Sequence, residues 1–314
     1  MNDAINSAIN KPVKKAVEAD KKSSARRLGC AKMIEKSMSG IFTVCGLTAL
    51  GFVIVITIFL LVSGIPAIGK IGILNFLLGR EWRSTAAEPL YGILPFISSS
   101  VFGTLGAIII GVPIGLLCAI YISKFAPKGF GAIVRDAVQL LAGIPSVVYG
   151  LVGMIIIVPL VRETFNLPDG ANLFSAIIVL SIMILPSVIS VSETAIKAVP
   201  KEYEEGSLAL GATKTETVFK IVVPAAKSGI LASVVLGIGR AIGEAMAVIM
   251  VSGNAANMPK LFGSVRFLTT AVASEMSYSS GLQRSALFSI ALVLFIFILI
   301  INTVLNFVIK RKKD

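Results

Sequence analysis

Between Ile41 and Val62 the chain carries no charged side chain, and Val, Ile, Leu and Phe dominate. A run of this length matches the ~20 apolar residues that cross a bilayer as a helix. Inside hydrocarbon no water bonds to the backbone, so the segment must satisfy its own N–H and C=O groups, and a helix does so. The rest of the chain repeats the pattern. Of its 314 residues, 55% are hydrophobic and 15% charged, against roughly a quarter charged in soluble domains. The sequence predicts an all-α integral membrane protein.

Six spans are expected, at about 41–62, 95–123, 136–161, 172–192, 226–251 and 285–309, with residues 1–40 as a basic cytoplasmic tail before a membrane domain at 41–314. The first part of the tail reads as disordered, and Arg26 to Ser39 as an amphipathic helix along the membrane surface. Ser63-Gly64-Ile65-Pro66 is expected to end the first span. Trp82 suits the outer interface. Gly111 and Gly115 in the second span allow a neighbouring helix to approach closely, and Pro113 predicts a kink. Gly143 to Gly150, with Pro145 and Ser146 inside a span, places the third helix in the interior of a bundle, where neighbours satisfy the freed backbone groups. Pro186 is expected to bend the fourth span. The loop 252–284 has room for a short re-entrant or interfacial helix.

Net charge is +12, with 29 Lys/Arg against 17 Asp/Glu. The basic residues cluster beside apolar spans, where they orient a chain in the bilayer. That placement excludes a nucleic-acid partner. With six spans both termini share a side. Twenty-one Lys/Arg then fall on that side, seven on the other, and Arg240 inside a span. The positive-inside rule makes the terminal side cytoplasmic, in a multi-pass cytoplasmic (inner) membrane protein. The first forty residues show no cleavable signal peptide. The chain has no histidine, which removes the commonest general base and metal ligand. Cys30, Cys45 and Cys118 have neither metal nor C-x-x-C spacing. No catalytic residue, metal or cofactor site follows, and an enzyme embedded in the membrane is excluded.

Val199 to Pro224 is the longest charged periodic stretch beyond residue 40 and lies between two spans on the cytoplasmic side. Pro200 suits a first helical position, and Glu202, Glu204 and Glu205 favour the positive end of the helix dipole. Gly211 is a stop signal, and Thr213-Lys214-Thr215-Glu216 reads as a capping box. Two short helices follow, the second gathering Val218, Phe219, Ile221 and Val222. On periodicity alone this is an ordinary amphipathic loop pair. Glu205, Gly211 six positions on, and Ile221-Val222-Val223-Pro224 resemble the EAA loop of ABC importer permeases. Gly206 and Ser207 stand for its two alanines and Val223 for its leucine, all of similar size. The resemblance implies that Glu205, Gly206, Ser207, Gly211, Ile221 and Pro224 form a coupling element that docks on a cytoplasmic ATPase.

A second candidate lies in the fifth span, at Gly237-Ile238-Gly239-Arg240-Ala241-Ile242-Gly243-Glu244. At ~1.5 Å rise per residue, Arg240 sits about 18 Å from Ser228, near mid-membrane. A charge there costs at least a few kcal/mol. At i and i+4, Arg240 and Glu244 share a helix face and can pair. One reading is an ion pair that locks the bundle. The other is an anion pathway in which Arg240 donates two parallel hydrogen bonds to an oxyanion. Glu244 then either holds Arg240 between transport events or repels the anion, and the sequence does not separate these roles.

Gly239 to Val248, together with Gly143 to Gly150, is similar to the C-type permease subunit of phosphate-specific ABC importers, and the resemblance runs from about Pro89 to the sixth span. It implies a six-helix type I ABC importer transmembrane domain. It also implies an assembly with an A-type sister permease, two ATPase subunits that use ATP and Mg²⁺, and an extracytoplasmic phosphate-binding protein. The alternatives are a permease for another oxyanion, such as sulfate or molybdate, and a secondary anion transporter, which has no use for an EAA loop. Gly64 to Ile71 is a false P-loop, since Ile71 stands where Ser or Thr must bind Mg²⁺. Ser98, Ser99 and Ser100 read first as hydroxyls at a helix interface.

Overall fold

A computed structural model describes residues 2–311. Lys312 and Lys313 lie outside them, as do the side chains before Glu35, and with them the expected basic face of the amino-terminal segment. The chain divides into two contact units, residues 1–59 and 60–314. The first belongs to α1 (Asn2–Ile71), a helix unbroken at the expected boundary near residue 41. From Ile41 to Phe59 its large apolar side chains are exposed, which suits a helix surrounded by hydrocarbon.

The second unit begins with the last turns of α1. The expected stop at Ser63-Gly64-Ile65-Pro66 does not occur, and the helix continues to Ile71. Gly64 serves packing here instead of termination. A Cβ built on it would lie 3.2 Å from the Ser289 backbone, and the Ser289 hydroxyl donates to the Gly64 carbonyl at 2.6 Å. After α1 come the short apolar helix α2 (Ile73–Leu78) and a small hairpin, β1 (Trp82–Arg83) with β2 (Leu90–Tyr91), in antiparallel register Trp82↔Tyr91.

The second span is α3 (Leu94–Ile120), extended by a π-helical turn at Tyr121–Phe125, and Pro113 lies within the helix. The third span departs from expectation. α4 (Lys128–Gly143) is a separate amphipathic helix that ends where the span was placed, and the membrane-length segment is Ser146–Thr164. That segment comprises α5 (Ser146–Val152), a π-helical turn at Gly153–Ile157 and α6 (Val158–Thr164). The cause is Pro145. The residue before a proline is pushed from helical to extended backbone, and Ile144 adopts φ −69°, ψ 128°. The Tyr149 hydroxyl bridges the break by donating to the Leu141 carbonyl at 2.7 Å.

The fourth span, α7 (Leu173–Lys197), starts where the Asn172 side chain caps Ser175 N at 3.0 Å, and it passes through Pro186. A surface segment of short helices follows: α8 (Lys201–Ala209), α9 (Lys214–Thr217), a π-helical turn at Val218–Val222 and α10 (Val223–Ala225). The chain then bends by 69° into α11 (Lys227–Gly243). The fifth span was expected to continue to Val251, but it breaks at Glu244–Ala245 and restarts as α12 (Met246–Val251). α13 (Leu268–Glu275) lies in the loop expected to hold a short helix, and α14 (Gly281–Arg311) is the last span. Among the described residues five helices are long and apolar enough to cross a membrane, and the bent helix ending at Gly243 brings the number to six.

α7 lies at the centre of this unit, packed on α3 along a row of small residues. A Cβ on Gly111 would meet Ile184 Cδ1 at 2.8 Å and the Ser181 carbonyl at 2.9 Å, and one on Gly115 would meet Val188 at 2.9 Å. The lack of a Cβ at both positions lets the two backbones approach. Three buried clusters mark different levels. One holds Phe76, Trp82, Phe96, Leu268 and Leu287, at the Leu94 end of α3. A central one joins α3, α5, α7 and α12. The third, at the Ile120 end of α3, takes in Val138, Ile196, Val218 and Val222.

Candidate functional site

Arg240 and Glu244 are not one turn apart on a helix. Gly237, Gly239 and Gly243 weaken helix propensity along this stretch, and Glu244 leaves the helix with φ −75°, ψ 128°. The expected ion pair does not form, because the break turns the carboxylate elsewhere. Glu244 Oε1 accepts from Ala247 N at 3.0 Å and so caps the start of α12, whose N-cap, Ala245, has no polar side chain. The Glu244 carbonyl, freed by the break, accepts from Thr269 Oγ1 at 2.7 Å. α13 starts beside it with its own ties. Leu268 N donates to Ser100 Oγ at 3.0 Å, and Phe267 N to Thr270 Oγ1 at 2.8 Å. Ser100 is thus a buried interface hydroxyl, as the sequence suggested. Ser99 is also buried, and its hydroxyl has no partner among the described residues.

Arg240 is half-buried, and its Nη1 donates to Ser187 Oγ on α7 at 3.3 Å. No carboxylate lies within ion-pair distance of it among the described residues. A guanidinium presents five N–H donors, and the other four have no hydrogen-bond partner among the described residues. The third-span motif comes to the same place, since a Cβ on Gly150 would lie 2.8 Å from Ala247 Cα. The third span at Gly150, the start of α12 and the start of α13 therefore meet at the break that follows Arg240. Irregular backbone at this depth is tolerated where protein buries it or where it lines a polar path. Such an arrangement can attract an anion by charge and bind it with donors that no carboxylate occupies.

The α8–α10 segment is built largely as its sequence reads. Pro200 is the N-cap of α8 instead of its first turn. Gly211 has φ +85°, a left-handed conformation that suits glycine. Thr213 and Glu216 form the capping box, with Thr213 Oγ1 accepting from Glu216 N at 3.3 Å and Glu216 Oε2 accepting from Thr213 N at 3.1 Å. The Thr213 backbone N–H and hydroxyl, with Lys220, hold the Glu216 carboxyl below its usual range. The expected four-residue apolar face is divided. The π-helical turn buries Val218 and Val222 and leaves Phe219 and Ile221 exposed. Ser207 joins the two helices through the Thr217 hydroxyl at 2.9 Å. Glu205, Gly206, Gly211 and Pro224 are exposed, and a Cβ on either glycine would meet nothing within 4 Å. Tyr203, Leu208 and Leu210 also face outward, Leu210 at 91% exposure.

Beside the buried packing of Val218 and Val222 with Ile120 and Ile122, two charged contacts connect this segment to the end of the second span. Lys124 Nζ pairs with Glu204 Oε2 at 2.5 Å, and Lys214 Nζ sits 5.5 Å from the centre of the Phe125 ring. Sequence reasoning missed both, since the partners are distant in the chain. It also missed Glu193, buried and paired with Arg135 at 2.7 Å and Lys197 at 2.6 Å. Its signal was a lone acid one residue beyond the expected end of the fourth span. At the opposite end of α3, Glu275 accepts from Trp82 Nε1 at 3.2 Å and Gln283 Nε2 at 3.1 Å, and pairs with Arg266.

A family described as binding-protein-dependent transport system inner membrane component matches residues 111–314. A probable ABC transporter permease protein, YqgH, of Bacillus subtilis (strain 168) is 36% identical over 87% of this chain and 90% of its own length. The phosphate transport system permease protein PstC of Pasteurella multocida (strain Pm70) is 34% identical over 76% of this chain and 80% of its own. Among solved structures, a bacterial ABC transporter involved in the import of the acidic polysaccharide alginate gives a TM-score of 0.55 at 15% identity, covering 70% of this chain and 80% of its own. An amino acid ABC transporter gives 0.52 at 19% identity, covering 70% and 93%. At such identities the structures speak for the fold, a type I ABC importer transmembrane domain. With the family matched over most of its length, the chain belongs to the binding-protein-dependent transport system inner membrane components.

Proposed function

We propose that this chain is the permease subunit of an ATP-driven importer of inorganic phosphate, forming half of the translocation pathway. The observation that carries this reading is Arg240, a half-buried cation at a break in a span, held by Ser187 with most of its donors unengaged. A phosphate-like oxyanion complements it in charge and in the geometry of its oxygens. The names of the PstC relatives support phosphate over other anions. The exposed α8–α10 surface is the docking site for a cytoplasmic ATPase, centred on Glu205, Gly206, Ser207, Gly211, Ile221 and Pro224, with both chain termini on that side. ATP and Mg²⁺ belong to two ATPase subunits, and this chain hydrolyses nothing. A sister permease supplies the other half of the path, and an extracytoplasmic binding protein delivers the anion.

The test is phosphate uptake by the reconstituted importer carrying Arg240→Ala. Uptake should vanish while the permease still co-purifies with its partners. Full uptake would reduce Arg240 to a structural residue, and import of sulfate or molybdate in place of phosphate would overturn the substrate.

A further inference from the structure

At the Leu94 end of α3, away from Arg240 and from the α8–α10 loop, a cavity of about 880 Å³ opens among the end of α1, α2 and the hairpin. Lys70, from the last turn of α1, and Arg80, just beyond α2, both line it. Both are exposed, and neither has an ion-pair partner among the described residues. The one acid in the lining, Glu81, pairs with Arg83 at 3.1 Å. The charges of Lys70 and Arg80 are therefore unpaired among the described residues.

Its other wall is apolar. Leu74 and Leu78 of α2 line it with Leu90 and Leu282, and Leu74 is 69% exposed. A six-residue helix that turns leucines outward is costly in water and favourable against acyl chains. Tyr91 lines the cavity, and its ring meets Trp82 edge-on at 5.4 Å. Exposed cations beside exposed leucines suit the boundary between headgroup and hydrocarbon, where a basic head stays wet and an apolar wall meets acyl chains, so this cavity sits at that level.

We propose that this cavity binds an anionic phospholipid, with the phosphodiester between Lys70 and Arg80 and an acyl chain along Leu74, Leu78 and Leu282. Free phosphate shares the charge chemistry but has no use for the leucine wall. The occupant is therefore a lipid.

The assembled importer, delipidated in detergent, is titrated with phosphatidylglycerol or phosphatidylcholine, and bound lipid is counted by native mass spectrometry. Phosphatidylglycerol should bind more tightly than phosphatidylcholine. Each basic residue near an anionic lipid contributes roughly fivefold, so the double variant K70A/R80A should weaken phosphatidylglycerol binding about twenty-five-fold. The charge-retaining K70R/R80K should bind as the parent does. Equal binding of the two lipids, unchanged binding by K70A/R80A, or equal loss in K70R/R80K would each overturn the proposal. So would displacement of phosphatidylglycerol by millimolar inorganic phosphate, which would assign the cavity to the free anion.

Discussion

Glu244 serves the backbone as much as the charge balance. Its carboxylate caps Ala247 N, and its carbonyl is held by Thr269. Losing a capping acceptor costs about 1 kcal/mol of helix stability, a large share for a helix as short as α12. Glu244→Gln keeps an acceptor oxygen and removes only the charge, whereas Glu244→Ala removes both. Amide hydrogen exchange across Met246–Val251 should stay slow in the Gln variant and quicken in the Ala variant, and equal exchange in the two would end the capping role. Phosphate uptake measured alongside then isolates the charge. The placement of Arg240 inside a span was legible in the sequence, because a lone arginine interrupts an apolar run. Its relation to Glu244 was not, since i,i+4 pairing presumes an unbroken helix. The break owes something to Gly243 but is held by Thr269, twenty-five residues away in the chain, and nothing local announces that contact.

The same divide runs through the elements. Helices whose ends are set by local chemistry were readable, as with the Thr213–Glu216 box and the Gly211 turn. Ends set by a proline within an apolar run were harder. Pro186 and Pro113 stay inside helices, whereas Pro145 splits α4 from α5. The difference lies in the surroundings, because the Tyr149 hydroxyl satisfies a carbonyl at the Pro145 break. Gly211 allows a prediction of its own. A β-branched residue in the left-handed region costs on the order of 1–2 kcal/mol, while Asn tolerates it. Gly211 has nothing within 4 Å of a Cβ, so crowding inside the chain plays no part. Gly211→Val should distort the turn and lower ATPase co-purification several-fold, with the spans still folded. Gly211→Asn should retain most of it. Equal co-purification by both variants and the parent would remove this turn from the docking surface.

At the scale of the whole molecule, the α8–α10 loop and the Arg240 break share one continuous stretch of chain, with a 69° bend between them. Sequence order alone connects loop to break through α11. The structure adds a second route. Lys124–Glu204 and Lys214 over Phe125 fasten the loop to the π-helical turn that ends the second span. From there α3 packs against α7 along Gly111 and Gly115, and α7 reaches Arg240 through Ser187. Nearby, Glu193 ties α7 to α4 through Arg135. Distant ion pairs of this kind leave no periodic trace, so this route was invisible in the sequence. Because Lys124 and Glu204 are largely screened from solvent, their pair is worth on the order of 1 kcal/mol, toward the upper end for surface pairs. That is enough to bias a mechanical link and too little to unfold the spans. In the double variant K124A/E204A the ATPase should still co-purify and still hydrolyse ATP, because the outward face of α8 is untouched. Phosphate moved per ATP should fall several-fold as α8 loses its ion pair to the second span. An unchanged ratio of transport to hydrolysis would remove the Lys124–Glu204 pair from the link between loop and break.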